Sequence, residues 1–258
     1  MSPIHHRIDT DDVNKPWLLV LHGLFGSLSN LSVLTKQLTQ DFQVLSADLP
    51  DHGKSDFSTN ANFVEYAQSI NHLLTQLDIS CVSIVGHSLG GKVAMQLALL
   101  RPEMVTHLVV LDIAPVQYQA QHNQVFNGLN NINLLTLTHR QEADIILSEY
   151  VDEASTRQFL LKSLYLKDKK WCWRFNLHQL HSDYSELSKA VRSDNHFLGP
   201  TLFIKGELSD YLLVEHKPAI LALFPNSQWK MIGGVGHWLH AEKPTLCYKM
   251  IKQFIVTD

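Results

Sequence analysis

Residues 82–91 read Val82-Ser83-Ile84-Val85-Gly86-His87-Ser88-Leu89-Gly90-Gly91, and no other stretch narrows the choice of folds as much. A β-branched run, the mark of a buried strand, leads straight into Gly-x-Ser-x-Gly. Lys92-Val93-Ala94-Met95-Gln96-Leu97-Ala98-Leu99 then continues with a helical pattern. Strand, sharp turn and helix in that order hold a serine on a strained backbone and lift its hydroxyl clear of a sheet. Gly86 and Gly90 lack Cβ atoms, so strand and helix can close together beside Ser88. The serine then stands at a helix N-terminus, where unpaired N–H groups favour negative charge. A glycine-rich turn with an incidental serine is the bland alternative, and the flanking strand and helix argue against it.

The rest of the chain supplies the other layers. Trp17-Leu18-Leu19-Val20-Leu21 is apolar throughout, as a strand covered on both faces should be. Further strands are expected at residues 42–47, 106–113, 201–205 and 227–232, with a short leading one within 2–9. Helical spacing appears at 28–38, 62–77, 216–224 and 244–256. Strands alternating with helices predict a mostly parallel sheet covered on both sides, an α/β fold. The alternation lapses between Val116 and Phe197, where the pattern is polar and helical (141–151 and 154–166) without a strand signal. We read residues 1–115 and 198–258 as the core and 116–197 as a helical insertion, because β/α alternation resumes after it.

A chain of 258 residues can bury a large α/β core. Its net charge of −4 offers no basic stripe to meet phosphates, so nucleic acid is not an expected partner. Lys167-Asp168-Lys169-Lys170 reads as a solvated turn. The apolar runs are too short to span a bilayer, and the polar first fifteen or so residues are unlike a signal peptide. Cys81, Cys172 and Cys247 are widely spaced and odd in number, which points to reduced thiols and a cytoplasmic protein. Fifteen histidines show no metal-ligand spacing, so neither metal nor cofactor is expected.

In open α/β sheets ligands bind beyond the carboxyl ends of the strands, where His22-Gly23, Ser88, Asp112 and His237 should gather. A serine hydroxyl needs a base, and His237 in Gly233-Gly234-Val235-Gly236-His237-Trp238 is the candidate. An acid must fix the imidazole tautomer. Asp112 ends the strand Val109-Val110-Leu111 and leads; Asp210 is the rival, and Glu207 stands third. A developing oxyanion needs backbone donors: Leu89 after the serine, and Leu24, or failing it Phe25, from the loop after the first strong strand. His22 and Asp51-His52-Gly53 are read as braces for their loops.

Taken together, these residues resemble the α/β-hydrolase superfamily over nearly the whole chain. His22-Gly23-Leu24-Phe25-Gly26-Ser27, Gly86-His87-Ser88-Leu89-Gly90-Gly91-Lys92, Asp112-Ile113-Ala114-Pro115 and 236–244 are similar to the YbfF-type esterases of bacteria. Phe159-Leu160-Leu161-Lys162-Ser163 and Trp173-Arg174-Phe175-Asn176 carry the similarity into the insertion. The resemblance implies a serine carboxylesterase with a helical cap, acting on short-to-medium acyl esters, with acyl-CoA thioesters as a second class of substrate. In many superfamily members the acid lies three residues after a glycine that follows a later strand; here Ser209 fills that slot. YbfF-like enzymes draw the acid from the strand after the nucleophile, which maps to Asp112. Candidate substrate contacts are Phe25, His87 and Trp238 from the core and Phe126, Phe159, Tyr165 and Trp173 from the cap. The partner would be a small-molecule ester, and the protein a monomer or small homo-oligomer. A cofactor-free lyase or dedicated thioesterase on the same parts is the alternative, and a non-catalytic receptor the alternative of another class.

Overall fold

Continuous apolar segments become inner strands because helices cover both faces of the sheet. In the computed structural model, which describes residues 3–10, 12–119 and 121–256, the strands follow in chain order. They are β1 (His6–Asp9), β2 (Trp17–Leu21), β3 (Gln43–Ala47), β4 (Val82–His87) and β5 (Val105–Leu111), then β6 (Leu164–Lys167), β7 (Lys170–Trp173), β8 (Thr201–Gly206) and β9 (Ser227–Ile232). Seven of them form one sheet in the order β1-β3-β2-β4-β5-β8-β9. Only β1 in it runs antiparallel to its neighbour. Ser2, read above as part of the leading strand, lies outside the described residues.

Side chains alternate between the two faces of each strand. Leu19, Leu21, Ile84 and Val110 pack beneath α2 (Phe63–Gln76) and α3 (Leu89–Leu100). Leu18, Val20, Val85 and Val109 pack against α1 (Ser32–Leu38) and the C-terminal helix Pro244–Val256. Residues 28–38 are not one helix: a 3-10 turn over Leu28–Leu31 precedes α1. The α2 helix is capped by Asn62, whose Oδ1 accepts from the Glu65 N–H at 2.8 Å; such a cap stabilises by about 1 kcal/mol.

The chain steps from β2 out to β3 and then crosses back to β4 on the other side of β2. Loops leaving β2 and β4 therefore diverge at their carboxyl ends, and a crevice opens between them. Ser88 follows β4 at that reversal.

Between β5 and β8 the chain carries α4 (Asn123–Asn131), α5 (Arg140–Ser148), α6 (Ala154–Leu161), α7 (Leu177–Ser182) and α8 (Tyr184–Ser188). The helix read over 154–166 stops at Leu161, and β6 pairs antiparallel with β7 as a hairpin. Its turn is Asp168-Lys169, both with positive φ (48° and 62°), the geometry that two-residue hairpin turns adopt. The insertion is tied to the core by buried polar contacts. Asp51, fully buried, accepts from Asn176 Nδ2 at 2.9 Å and from the Tyr66 hydroxyl at 2.8 Å. Lys92 Nζ donates to the Ser188 carbonyl at 3.0 Å, and Ser163 Oγ donates to the Phe25 carbonyl at 3.1 Å. After β8 come α9 (Lys217–Leu223), β9, α10 (Leu239–Glu242) and α11 (Pro244–Val256).

Candidate active site

Ser88 has φ 53° and ψ −120°, a conformation L-residues avoid, and it caps the N-terminus of α3. Its surroundings explain how the strain is held. Its N–H donates to the Leu111 carbonyl at 3.1 Å, and its carbonyl accepts from Gly91 at 2.8 Å. A Cβ on Gly86 would lie 2.3 Å from the Gly90 carbonyl oxygen, and one on Gly90 would lie 2.5 Å from the His22 carbonyl oxygen. Neither position admits a side chain, so the two glycines set the sharpness of the turn. The Ser88 hydroxyl makes no hydrogen bond among the described residues, to His237 or to any other.

Asp112 follows β5 with φ 54° and is fully buried. A carboxylate there needs donors to offset its lost hydration. It has three: Gly206 N–H reaches Oδ1 at 3.0 Å, His237 Nδ1 reaches Oδ2 at 2.7 Å, and the Ser209 hydroxyl also donates to Oδ2. With Nδ1 as the donor, the other ring nitrogen of His237 is free to accept a proton. Of the three acids considered from sequence, the structure brings Asp112 to His237. Asp210 and Glu207 are exposed, and Glu207 accepts instead from the Gly234 N–H at 2.6 Å.

Ser88 and His237 line one cavity of about 360 Å³ between the sheet and the insertion. Phe25, His87, Phe159 and Trp238 line it as well. The Phe159 and Trp238 rings lie 5.5 Å apart and join α6 to the loop after β9. Phe126, Tyr165 and Trp173, expected there from sequence, are not among its lining residues. Phe126 is fully buried behind Phe25, with ring centroids 5.1 Å apart, and stacks on His181. Trp173 stacks on Phe175, and Tyr165 lies under the Arg174 guanidinium. Their aromatic surface is used in packing. The N–H groups of Leu24 and Leu89 donate to no hydrogen bond among the described residues, and nor does that of Phe25, whose φ is 61°. They could receive an anionic oxygen formed at Ser88.

Four further residues belong to the site and escaped sequence reasoning. Tyr211 stacks on the His237 ring at 4.1 Å, and the Ser209 hydroxyl donates to Asp112 Oδ2, the same oxygen that His237 Nδ1 reaches. His240 lies 4.2 Å from His87, and His122 from the insertion lines the cavity. Burial holds all the neighbouring imidazoles neutral. It pushes His52 and His240 down to about 3 and His122 to about 4, and His87 well below its ordinary value. Neutral His87 donates from Nε2 to the His237 carbonyl at 2.9 Å and so fixes the loop that presents His237. His22 likewise braces its loop: Nδ1 donates to the Gly23 carbonyl at 2.8 Å while Nε2 accepts from the Leu49 N–H at 3.0 Å. Among the described residues no cluster of three or more His, Cys, Asp or Glu side chains is placed to hold a metal ion.

A serine on a strained turn, an imidazole braced by a buried acid and uncommitted N–H groups make up a site suited to acyl transfer. A family model described as the alpha/beta hydrolase fold matches residues 16–244. The chain belongs to the α/β-hydrolase family. This α/β-hydrolase is 35% identical over 245 residues to esterase YbfF of Escherichia coli K12, covering 94% of this chain and 93% of the relative. It is 36% identical over 250 residues to the sn-1-specific diacylglycerol lipase ABHD11 of Mus musculus, covering 94% and 81%. Among solved structures it is similar to a marine microorganism esterase, with a TM-score of 0.95 and 30% identity, covering 98% of this chain and all of that one. Esterases and lipases are thus among its relatives. Among the described residues no helix is long and apolar enough to cross a membrane.

Proposed function

We propose that the protein is a serine carboxylesterase that works through an acyl-enzyme, with residues 116–197 as its cap and the cytoplasm as its compartment. The observation that carries this reading is the Asp112–His237 pair, 2.7 Å apart, in the cavity that Ser88 also lines. In the first half-reaction His237 takes the Ser88 proton on its free nitrogen as Oγ bonds to the ester carbonyl carbon. The carbonyl oxygen becomes an oxyanion held by the N–H groups of Leu24, or alternatively Phe25, and Leu89. The carbon–oxygen bond to the alcohol then breaks, and the proton on His237 passes to the departing oxygen. In the second half-reaction water gives a proton to His237 while its oxygen bonds to the acyl carbon. Collapse releases the acid and returns the proton to Ser88. Asp112 stays ionised throughout and steadies the imidazolium. The Ser88–His237 contact closes when substrate is bound, as such hydrogen bonds commonly tighten only in the complex.

The reading is tested by treating the enzyme with a fluorophosphonate and locating the adduct by peptide mass spectrometry, alongside turnover of oxygen esters and of acyl-CoA thioesters. An adduct on Ser88, with ester turnover lost in Ser88→Ala, is the expected result. Unchanged turnover by a folded Ser88→Ala variant would remove Ser88 from the mechanism, and preference for acyl-CoA would make the enzyme a thioesterase.

A further inference from the structure

A second, smaller hollow of about 50 Å³ also reaches Ser88. It meets the larger cavity at Leu24, Ser88 and His122, which line both. His237 and Trp238 line only the larger one, whereas Leu89, Ile113 and Leu187 line only the smaller. We infer that the two hollows divide the ester between them, the small one holding the acyl chain and the large one the alcohol, so that the substrates are short-chain acyl esters of larger alcohols. This rests on the serine esterase reading above.

Proton bookkeeping decides which part goes where. The departing oxygen must receive its proton from His237, so the alcohol has to leave through the space that His237 lines. The acyl carbon stays bonded to Ser88 Oγ, with its oxygen against the Leu89 N–H, and its chain is left with the space beyond Leu89. Size then sets the length of that chain. A water-sized group needs roughly 10–15 Å³ of such space, so the small hollow takes about three or four heavy atoms, an acetyl to butyryl group.

The walls of the small hollow are fixed. Ile113 and Leu187 are buried. The Tyr118 hydroxyl accepts from the Ala114 N–H at 2.8 Å and donates to the Tyr211 carbonyl at 2.5 Å. The Tyr184 hydroxyl contacts His122 Nδ1 at 2.5 Å, and Lys92 Nζ pins Ser188 at the end of α8. A longer chain would outgrow this half-open hollow, whose wall side chains are already committed to partners.

Two ester series measured on the intact enzyme test the assignment. Along p-nitrophenyl acetate, butyrate and octanoate, kcat/KM should fall by about 100-fold between butyrate and octanoate. Along ethyl, butyl and octyl acetate it should hold or rise. Leu187→Ala should raise the octanoate-to-acetate ratio at least about tenfold, and the milder Leu187→Val should raise it less if the alanine variant folds poorly. Phe159→Ala, in the large cavity, should change the alcohol series and leave the acyl ratio alone. Octanoate turned over as well as butyrate, or an acetate series that falls with alcohol size, would overturn the assignment while leaving the esterase reading intact. Failure to hydrolyse any ester, with Ser88 unlabelled by fluorophosphonate, would bring down both.

Discussion

Asp112 has no exposed surface, yet three donors reach its carboxylate, and one of them is the imidazole that must carry a proton. Asp112→Asn would present an amide there, and the His237 tautomer would be held the wrong way round. We expect kcat to fall on the order of 10³–10⁴-fold, with the fold retained by circular dichroism. Asp210→Asn, at an exposed carboxylate, should stay within about twofold. Comparable losses in the two variants would deny Asp112 its role. Sequence alone left these two acids in contention because burial decides between them, and burial is a property of the assembled sheet. Ser209 illustrates the same limit: it occupies the slot where many relatives keep the acid, and its hydroxyl instead braces Asp112. His122 carried no signal at all, sitting among Asn123, Gln124 and other polar residues whose pattern says only surface helix. It gains its place from where α4 begins over Ser88.

At the scale of elements, the turn between β4 and α3 was fully legible, because its glycines are dictated by local geometry. Gly86→Ala would set a methyl 2.3 Å from the Gly90 carbonyl oxygen. We expect it to cost about 4 kcal/mol and to lower Tm on the order of 10 °C, read by calorimetry; an unchanged Tm would mean that the turn relaxes freely. The β6–β7 hairpin was not legible. Leu164-Tyr165-Leu166 and Trp171-Cys172-Trp173 have strand-like composition, but the turn between them lacks the Asn-Gly or Gly that marks a hairpin. The β6–β7 pairing, which runs out to Lys167 and Lys170, holds the exposed Lys169 at φ 62° without a glycine. Lys169→Gly should therefore stabilise by roughly 0.5–1 kcal/mol and raise Tm by about 2 °C. A fall in Tm would show that the lysine side chain contributes more than its backbone costs.

For the molecule as a whole, the cluster of buried neutral imidazoles around the site sets acid stability. Folded-state pKa values of about 3 for His52 and His240 and about 4 for His122 lie below the ordinary histidine value, as do those of His22 and His87. The unfolded chain therefore binds more protons than the folded one between about pH 6.5 and those values, and stability falls as pH falls through that window. We expect Tm to be flat near pH 7–8 and to drop steadily below pH 6.5, with about four protons taken up per molecule unfolded at pH 5 from His52, His87, His122 and His240. A Tm independent of pH down to 5 would contradict the buried, neutral state of these rings. The alternation of strands and helices made the architecture readable, since each layer is encoded locally. The placement of aromatic residues in the insertion was not, because Phe126, Tyr165 and Trp173 turn toward neighbours that only the folded chain supplies.

In the proposed mechanism a bond forms and breaks at Ser88 in every turnover. Rapid-quench mass spectrometry of the enzyme mixed with excess p-nitrophenyl acetate tests it directly. The prediction is an acetyl group on the peptide carrying Ser88, formed within the first turnover with a stoichiometric burst of nitrophenol. Steady ester turnover with Ser88 unmodified at every time point would contradict it.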